Sequence, residues 1–353
     1  MTTKFTTAEP IRQFTIVDAL PKAEIHVHLE GSIRPKTAVE LAARHGVEIG
    51  LEEVVARYHY SDFAGFIEAF KWVTSFLRKP EDYGLIMQRL AEELIRQHVV
   101  YAEITLSAGV MLLRKQNVEA NFEAICQTAH RADLRPLRIA WIFDAARQFG
   151  AEAAREVARW AAKLQKGGVV AFGMGGDELA IPTADFRPAF DYARSEGLRI
   201  VCHAGEIGGP KSVREAVEIL GAERIGHGIA LMRDPGLMES FVERGIVLEN
   251  CLTSNLSTGA LAKQTGKTNA ALVDHPLPKF VEHGLRVTLS TDDPAMFHTD
   301  LLGEYSKAAS IGVSGQQLLA LAERSFDAAF LPPVDAKRLI EDFRAAATSA
   351  RLL

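Results

Sequence analysis

The sequence predicts an α/β fold, a (β/α)₈ barrel, and three observations predict it. Short β-branched runs alternate with longer segments of helical period, roughly eight such units follow one another, and no linker splits the chain into halves. Strands alternating with helices build a parallel sheet through right-handed crossovers. Eight units without a break favour the closed barrel, with an open doubly wound sheet as the alternative architecture. The 353 residues are 48% hydrophobic and 24% charged, enough for one large core. Barrels of this kind exceed 200 residues as a single unit, so 1–353 reads as one domain with a short N-terminal extension, 1–18.

The candidate strands in order are 24–28, 100–106, 137–143, 169–173, 198–203, 224–227, 246–250 and 285–291. Each is short, the length expected of a strand, and most are rich in β-branched or other apolar residues. Helical periodicity covers 81–97, 119–132, 151–164, 186–195, 213–220 and 235–244 between them. The aromatic-rich segment 61–70, followed by Trp72, predicts helices inserted between the first two strands, and 314–347 reads as C-terminal helical packing.

The net charge is −5, and no Lys/Arg-rich block is present. A nucleic-acid polymer would need cations concentrated on one face to neutralise phosphates, so none is expected as a partner. The N-terminus lacks an apolar signal core, and no apolar run is long enough to span a bilayer. Three scattered cysteines, Cys126, Cys202 and Cys251, form no CxxC pair. That usage fits a reducing, cytoplasmic setting. No feature of the sequence specifies an oligomeric state.

Polar residues cluster at the predicted strand ends. His26 and His28 end the first strand, His203 the fifth and His227 the sixth, while Asp292 and Asp293 follow the eighth. In a barrel these ends share one rim, where active sites are built. Residues i and i+2 of a strand face the same side, so His26 and His28 can address one metal ion. The pattern HxH also arises by chance. In His203-Ala-Gly-Glu206 the small residues allow a sharp turn that aims an imidazole and a carboxylate at one space, although Glu206 alone would also suit a helix's first turn. Glycines flank His227 in Arg224-Ile-Gly-His227-Gly228, permitting close approach. Helix capping before Pro294 accounts for one of Asp292 and Asp293 and leaves the other without a role. Each bland reading stands singly, but together they require several accidents at matching strand ends.

With these residues in view, the sequence resembles the adenosine deaminase family of metal-dependent hydrolases. The matching segments are Pro21-Lys-Ala-Glu-Ile-His26-Val-His28-Leu-Glu-Gly31, Tyr101-Ala-Glu103, Gly175-Gly176-Asp177-Glu178, His203-Ala-Gly-Glu206, Arg224-Ile-Gly-His227-Gly228 and Ser290-Thr-Asp292-Asp293-Pro294, in family order. The resemblance implies one zinc ion per chain, bound by His26, His28, His203 and Asp292. It implies Glu206 as the proton carrier, His227 as the group orienting the attacking hydroxide, Asp293 as the partner of purine N7 and the Gly176 backbone as the partner of N3. Phe63 and Phe66 fall where the family lines its pocket with apolar side chains, a position that core packing would also explain.

The implied reaction replaces the 6-amino group of a 6-aminopurine nucleoside with oxygen from water. Adenosine is the default substrate. Glu30 stands where many adenosine deaminases carry Asp to contact the ribose 5′-hydroxyl, and Asn250-Cys-Leu-Thr-Ser-Asn255 also departs from their pattern. Glu at position 30 resembles branches acting on adenine or on 5′-modified adenosines, and the second segment looks closer to branches acting on modified nucleosides or nucleotides, so aminodeoxyfutalosine and free adenine are the alternatives. The benzoate of aminodeoxyfutalosine would want a cation. Arg147, just beyond the third strand, is one candidate, although an isolated arginine there reads more readily as a solvated surface residue. Two other classes compete: a binuclear amidohydrolase, which would need a bridging lysine or acid at the end of the fourth strand, where no lysine stands, and a non-catalytic nucleoside-binding protein, which would have lost ligands that this chain keeps.

Overall fold

A computed structural model describes residues 15–352; most of the expected N-terminal extension, 1–14, lies outside the described residues. Eight strands run β1 Lys22–His28, β2 Val99–Leu106, β3 Arg138–Ala146, β4 Val169–Gly175, β5 Arg199–Ala204, β6 Arg224–His227, β7 Val247–Asn250 and β8 Arg286–Leu289. All neighbouring pairs are parallel, in the order β1 to β8. This is the α/β barrel predicted from the sequence.

The last seam closes through a residue of the site itself. The His28 N–H donates to the Asp292 carbonyl at 2.8 Å, and the Asp292 N–H donates to the His26 carbonyl at 3.0 Å. Beyond β8, Asp292 adopts φ +65°, and His227 at the end of β6 adopts φ +62°. Left-handed backbone at non-glycine residues is uncommon and collects at functional sites.

Three strand C-termini differ from expectation by two residues or more. β3 and β4 run on to Ala146 and Gly175, because Asp144, Ala145 and Ala146 pair with Gly173, Met174 and Gly175. Those residues have little strand propensity of their own; the neighbouring strand supplies the ladder. β8 stops at Leu289 rather than 291, because Thr291 gives its N–H to the buried Glu24 side chain at 2.8 Å and the chain then turns at Asp292.

Helices Pro35–Arg44, Leu51–Arg57, Phe63–Thr74 and Pro80–Arg96 fill the insertion between β1 and β2, and Leu301–Ser310, Gly315–Asp327 and Pro333–Ser349 follow β8. The core lies between strands and helices. The barrel interior holds a small apolar layer of Ile142, Ala171, Val201 and Phe330 and, above it, a buried ionic one. There Arg224 pairs with Glu103 and Glu249, each at 2.6 Å, donates to the Ala328 carbonyl at 2.9 Å and lies 3.7 Å over the Phe330 ring. Buried charge is tolerable only when paired and hydrogen-bonded in this way. Among the described residues, no helix is long and apolar enough to cross a membrane.

Candidate active site

The strand ends bring His26, His28, His203 and Asp292 together, with one ligand atom of each within 4.8 Å of the others. Strand alternation places both β1 imidazoles inward, β5 supplies the third, and the left-handed turn at Asp292 swings its carboxylate across the seam. His28 Nε2 lies 3.2 Å from His203 Nε2, and Asp292 Oδ1 lies 3.3 Å from His28 Nε2 and 3.5 Å from His26 Nε2. A tetrahedral ion with bonds of about 2.0–2.1 Å spaces its ligand atoms by roughly 3.3 Å. These three spacings match the edges of a tetrahedron whose corners would suit the ligands of a divalent metal. His26 Nε2 is buried without a hydrogen-bond partner, as an atom reserved for a cation would be.

Protonation agrees with that assignment. Burial pushes His28 down to about 4 and His203 well below the ordinary imidazole value, so both are neutral with lone pairs to offer. For His26, burial is outweighed by the adjacent Asp292 and Glu249 carboxylates, and its pKa rises to about 10. The two acids that favour a proton on this ring equally favour a metal ion on Nε2. Glu249 Oε2 sits 2.7 Å from His26 Nδ1, which turns Nε2 toward the site. Gly226 is required beneath this ring: a Cβ there would come within 2.6 Å of His26 Cε1.

The HAGE turn presents Glu206 next to the metal ligands. Three successive amides, of Gly205, Glu206 and Ile207, donate to the Glu178 carboxylate at 2.7–2.8 Å, and Ser212 Oγ donates at 2.5 Å. Gln264 Nε2 donates to the carbonyls of Glu206 and Gly208 at 2.8 and 2.6 Å. The turn is thereby fixed, and the Glu206 side chain is free to face inward. Its Oε1 accepts from Thr258 Oγ1 at 3.1 Å, and its Oε2 lies 3.6 Å from His227 Nε2. Burial, reinforced by Asp292 and Glu178, raises the Glu206 pKa well above the carboxylate range. Asp292 Oδ2 accepts from Ser254 Oγ at 2.7 Å. A metal site beside a carboxyl that can hold a proton near neutrality is equipped for hydrolysis.

A family model described as adenosine deaminase matches residues 21–346. The chain belongs to the adenosine deaminase family. It is a hydrolase of the deaminase type, acting on a cyclic amidine C–N bond. An aminodeoxyfutalosine deaminase of Streptomyces avermitilis is 39% identical over 332 residues, which cover 92% of this chain and 90% of that protein. An adenine deaminase of Rhizobium leguminosarum is 33% identical, covering 91% and 98% of the two chains. The crystal structure of adenine deaminase from Arthrobacter aurescens superposes with a TM-score of 0.86 at 25% identity, covering 94% and 100%.

The other residues expected from the family resemblance lie on several different elements. Glu30 is buried; its Oε1 accepts from the Ser107 amide at 3.0 Å, its Oε2 has no partner, and burial pushes its pKa up to about 7. Asp293 packs against Gly31, where any Cβ would overlap its carboxyl. Burial and the adjacent Asp292 raise its pKa well above the usual range. Gly176 turns at φ +83° just past β4. Phe66 is buried in a cluster with Phe297, ring centroids 5.0 Å apart, whereas Phe63 is half-buried at its edge, 6.0 Å from Phe66.

Arg147 corrects the surface reading of that residue. It is 0% exposed, and its Nη2 donates to the His203 carbonyl at 3.0 Å, while Nε and Nη1 are buried without partners. The chain leaving β3 folds inward over the barrel end, which a single arginine in sequence does not reveal. Cys251 also lies near His227 and Asp292. Its thiol is pushed well up by burial and by Asp292, so it packs as a small apolar residue and is a poor ligand for a second ion.

Sequence reasoning assigned no role to Glu178, Glu249, Arg224, Asn255 or His275. Glu178 and Arg224 lie within the family segments and Glu249 directly precedes Asn250, and the signal of each was the acid or base itself close to a strand. Asn255 and His275 carried no such signal.

Proposed function

We propose that this enzyme deaminates a 6-aminopurine nucleoside with an anionic 5′ extension, of the aminodeoxyfutalosine type, using one zinc ion per chain held by His26, His28, His203 and Asp292. The observation that carries the substrate is the 39% identity to an aminodeoxyfutalosine deaminase along nearly the whole of both chains. It favours that alternative over adenosine, the default from sequence. Two buried groups are compatible with it. The unpartnered Glu30 Oε2 suits a ribose hydroxyl, and the two unpartnered Arg147 donors suit a carboxylate. Free adenine is the second reading, supported by the adenine deaminase likeness; it would leave Glu30 Oε2 unanswered.

When bound, the zinc ion supplies an acidified water, its pKa lowered from 15.7 to about 7. The residues of the chain do the rest. Glu206, protonated near neutrality, gives its proton to N1 as oxygen adds to C6, which relieves the charge building on the ring. It then takes a proton from the attacking oxygen and passes it to the amino nitrogen; the C6–N bond breaks and ammonia leaves. His227 and Asp292 flank the attacking oxygen, Asp293 donates to N7, and the Gly176 backbone meets N3. The buried surroundings exclude bulk water and sustain the shifted carboxyl.

The test is ammonia release from aminodeoxyfutalosine, adenosine, adenine, adenylate and methylthioadenosine, compared by kcat/KM. Aminodeoxyfutalosine is expected to lead. Adenosine or adenine in first place would overturn the anionic extension, and no release from any of them would overturn the purine.

A further inference from the structure

The ring of His227 is addressed from behind by a buried chain of hydrogen bonds that begins at a backbone amide. The Leu277 N–H, which can only donate, points at His275 Nδ1 at 3.1 Å. His275 is buried, and burial together with the nearby His227 pushes its pKa down to about 3, so the ring is neutral. With Nδ1 accepting, its one hydrogen must reside on Nε2. That Nε2 lies 3.1 Å from Asn255 Oδ1, and Asn255 Nδ2 lies 3.0 Å from His227 Nδ1. Each link leaves one sense for the next. Asn255 accepts at its oxygen, so its amide nitrogen faces His227 and donates. Turning the Asn255 amide over would set its NH₂ against the His275 N–H, two donors face to face in a site closed to water. The His227 backbone is held as well, its carbonyl accepting from Asn250 Nδ2 at 2.5 Å.

We infer that Asn255 and His275 are positioning residues that fix His227 as the tautomer carrying its hydrogen on Nε2, so that it meets the reacting oxygen as a donor and not as a base. The inference rests on the proposed deaminase site, because Nε2 is the atom that faces Glu206 Oε2 at 3.6 Å and Asp292 Oδ2 at 3.8 Å. It divides the labour there: His227 orients and stabilises the oxygen, and proton transfer falls to Glu206.

Asn255→Asp tests it with an almost isosteric change. A carboxylate accepts from both sides, so it would draw a hydrogen onto His227 Nδ1 and leave a lone pair on Nε2 facing the site. Ring ¹⁵N NMR of histidine-labelled protein, with the His227 signals assigned by their loss in His227→Gln, reads the tautomer directly and requires no turnover. The wild type should show a bare Nδ1 and a protonated Nε2; Asn255→Asp should show the reverse. The kcat of Asn255→Asp should fall on the order of 10²-fold, the scale of one lost oxyanion donor, with KM changed less than about 3-fold. His275→Gln, whose amide can still donate to Asn255, should stay within about 5-fold of wild type. A wild-type His227 hydrogen on Nδ1, or Asn255→Asp with wild-type kcat, overturns the relay. Failure of the deaminase reading is separately visible, as the right tautomer in a protein that releases no ammonia from any 6-aminopurine.

Discussion

Two groups of residues at the strand ends hold their polar atoms in opposite ways. In the first, the HAGE turn and the side chains beside Glu206 are held by partners: Glu178 takes four donors, Asp292 Oδ2 takes Ser254, and His227 is held through Asn255. In the second, buried atoms are left open: Glu30 Oε2, Asp293 Oδ1, Arg147 Nε and Arg147 Nη1. Saturation fixes geometry before substrate arrives, which is what a transition-state site needs. Open donors and acceptors in a buried pocket cost free energy until something binds, which is what a recognition site tolerates. On the proposed function, the first group is the rigid chemical half and the second is a half that the ligand would complete.

The largest expected effect falls in the chemical half. Glu206→Gln should lower kcat on the order of 10³-fold, within the range for a lost general acid–base group, and metal content by elemental analysis should match the wild type because Glu206 is not among the ligands. A variant that keeps substantial turnover would remove Glu206 from the chemistry and with it the contrast between the halves. Next is Glu249→Gln. It keeps the shape but loses the anion behind His26, and zinc affinity measured by competition with a chelating dye should fall about 10- to 100-fold. Unchanged affinity would make the Arg224–Glu249 pair a piece of core alone.

How much of this could be read from the sequence follows the same division. The strands and the three imidazoles were legible because period-two alternation and barrel topology are local rules applied to short runs: HxH on β1 must face inward, and the ends of β5 and β6 must share its rim. Glu178 and Glu249 were not, because their partners are backbone amides and a ring reached only through register, 27 and 223 residues away in the chain. The Asp-Ala-Ala end of β3 was not legible for a related reason, since pairing with β4 and not propensity makes it a strand. Arg147 read as a solvated residue because nothing local to it says that the following turn packs inward. Recognition residues are hardest to see from sequence, since their partner is absent from it.

The recognition half yields smaller, selective effects. Arg147→Met keeps the volume and removes the cation. If the open donors serve a substrate carboxylate, kcat/KM for aminodeoxyfutalosine should fall about 10- to 100-fold, matching roughly 1.5–3 kcal/mol for a charged hydrogen bond, while adenosine is affected far less. An equal loss on both substrates would mean that Arg147 acts through the His203 carbonyl it already holds, and the residue would move into the chemical half.

Phe63 and Phe66 give the finest cut. Both lie on the helix Phe63–Thr74, whose N-terminus is capped by the Asp62 side chain accepting from the Gly65 amide at 2.8 Å. Phe66 is 7% exposed and packed against Phe297 and Tyr60, on the segment that follows Asp293. Replacing it by Leu should cost about 1 kcal/mol of stability, the usual toll of a volume-conserving core change, visible as a lower urea midpoint. Phe63, half-buried at the cluster's edge, should give under about 0.5 kcal/mol for the same change but raise KM a few-fold if its ring covers the bound nucleoside. The two variants therefore separate packing from contact on one helix face. Should Phe63→Leu shift the midpoint and spare KM, the aromatic insertion would belong to the core, and recognition would rest on Glu30, Asp293 and Arg147.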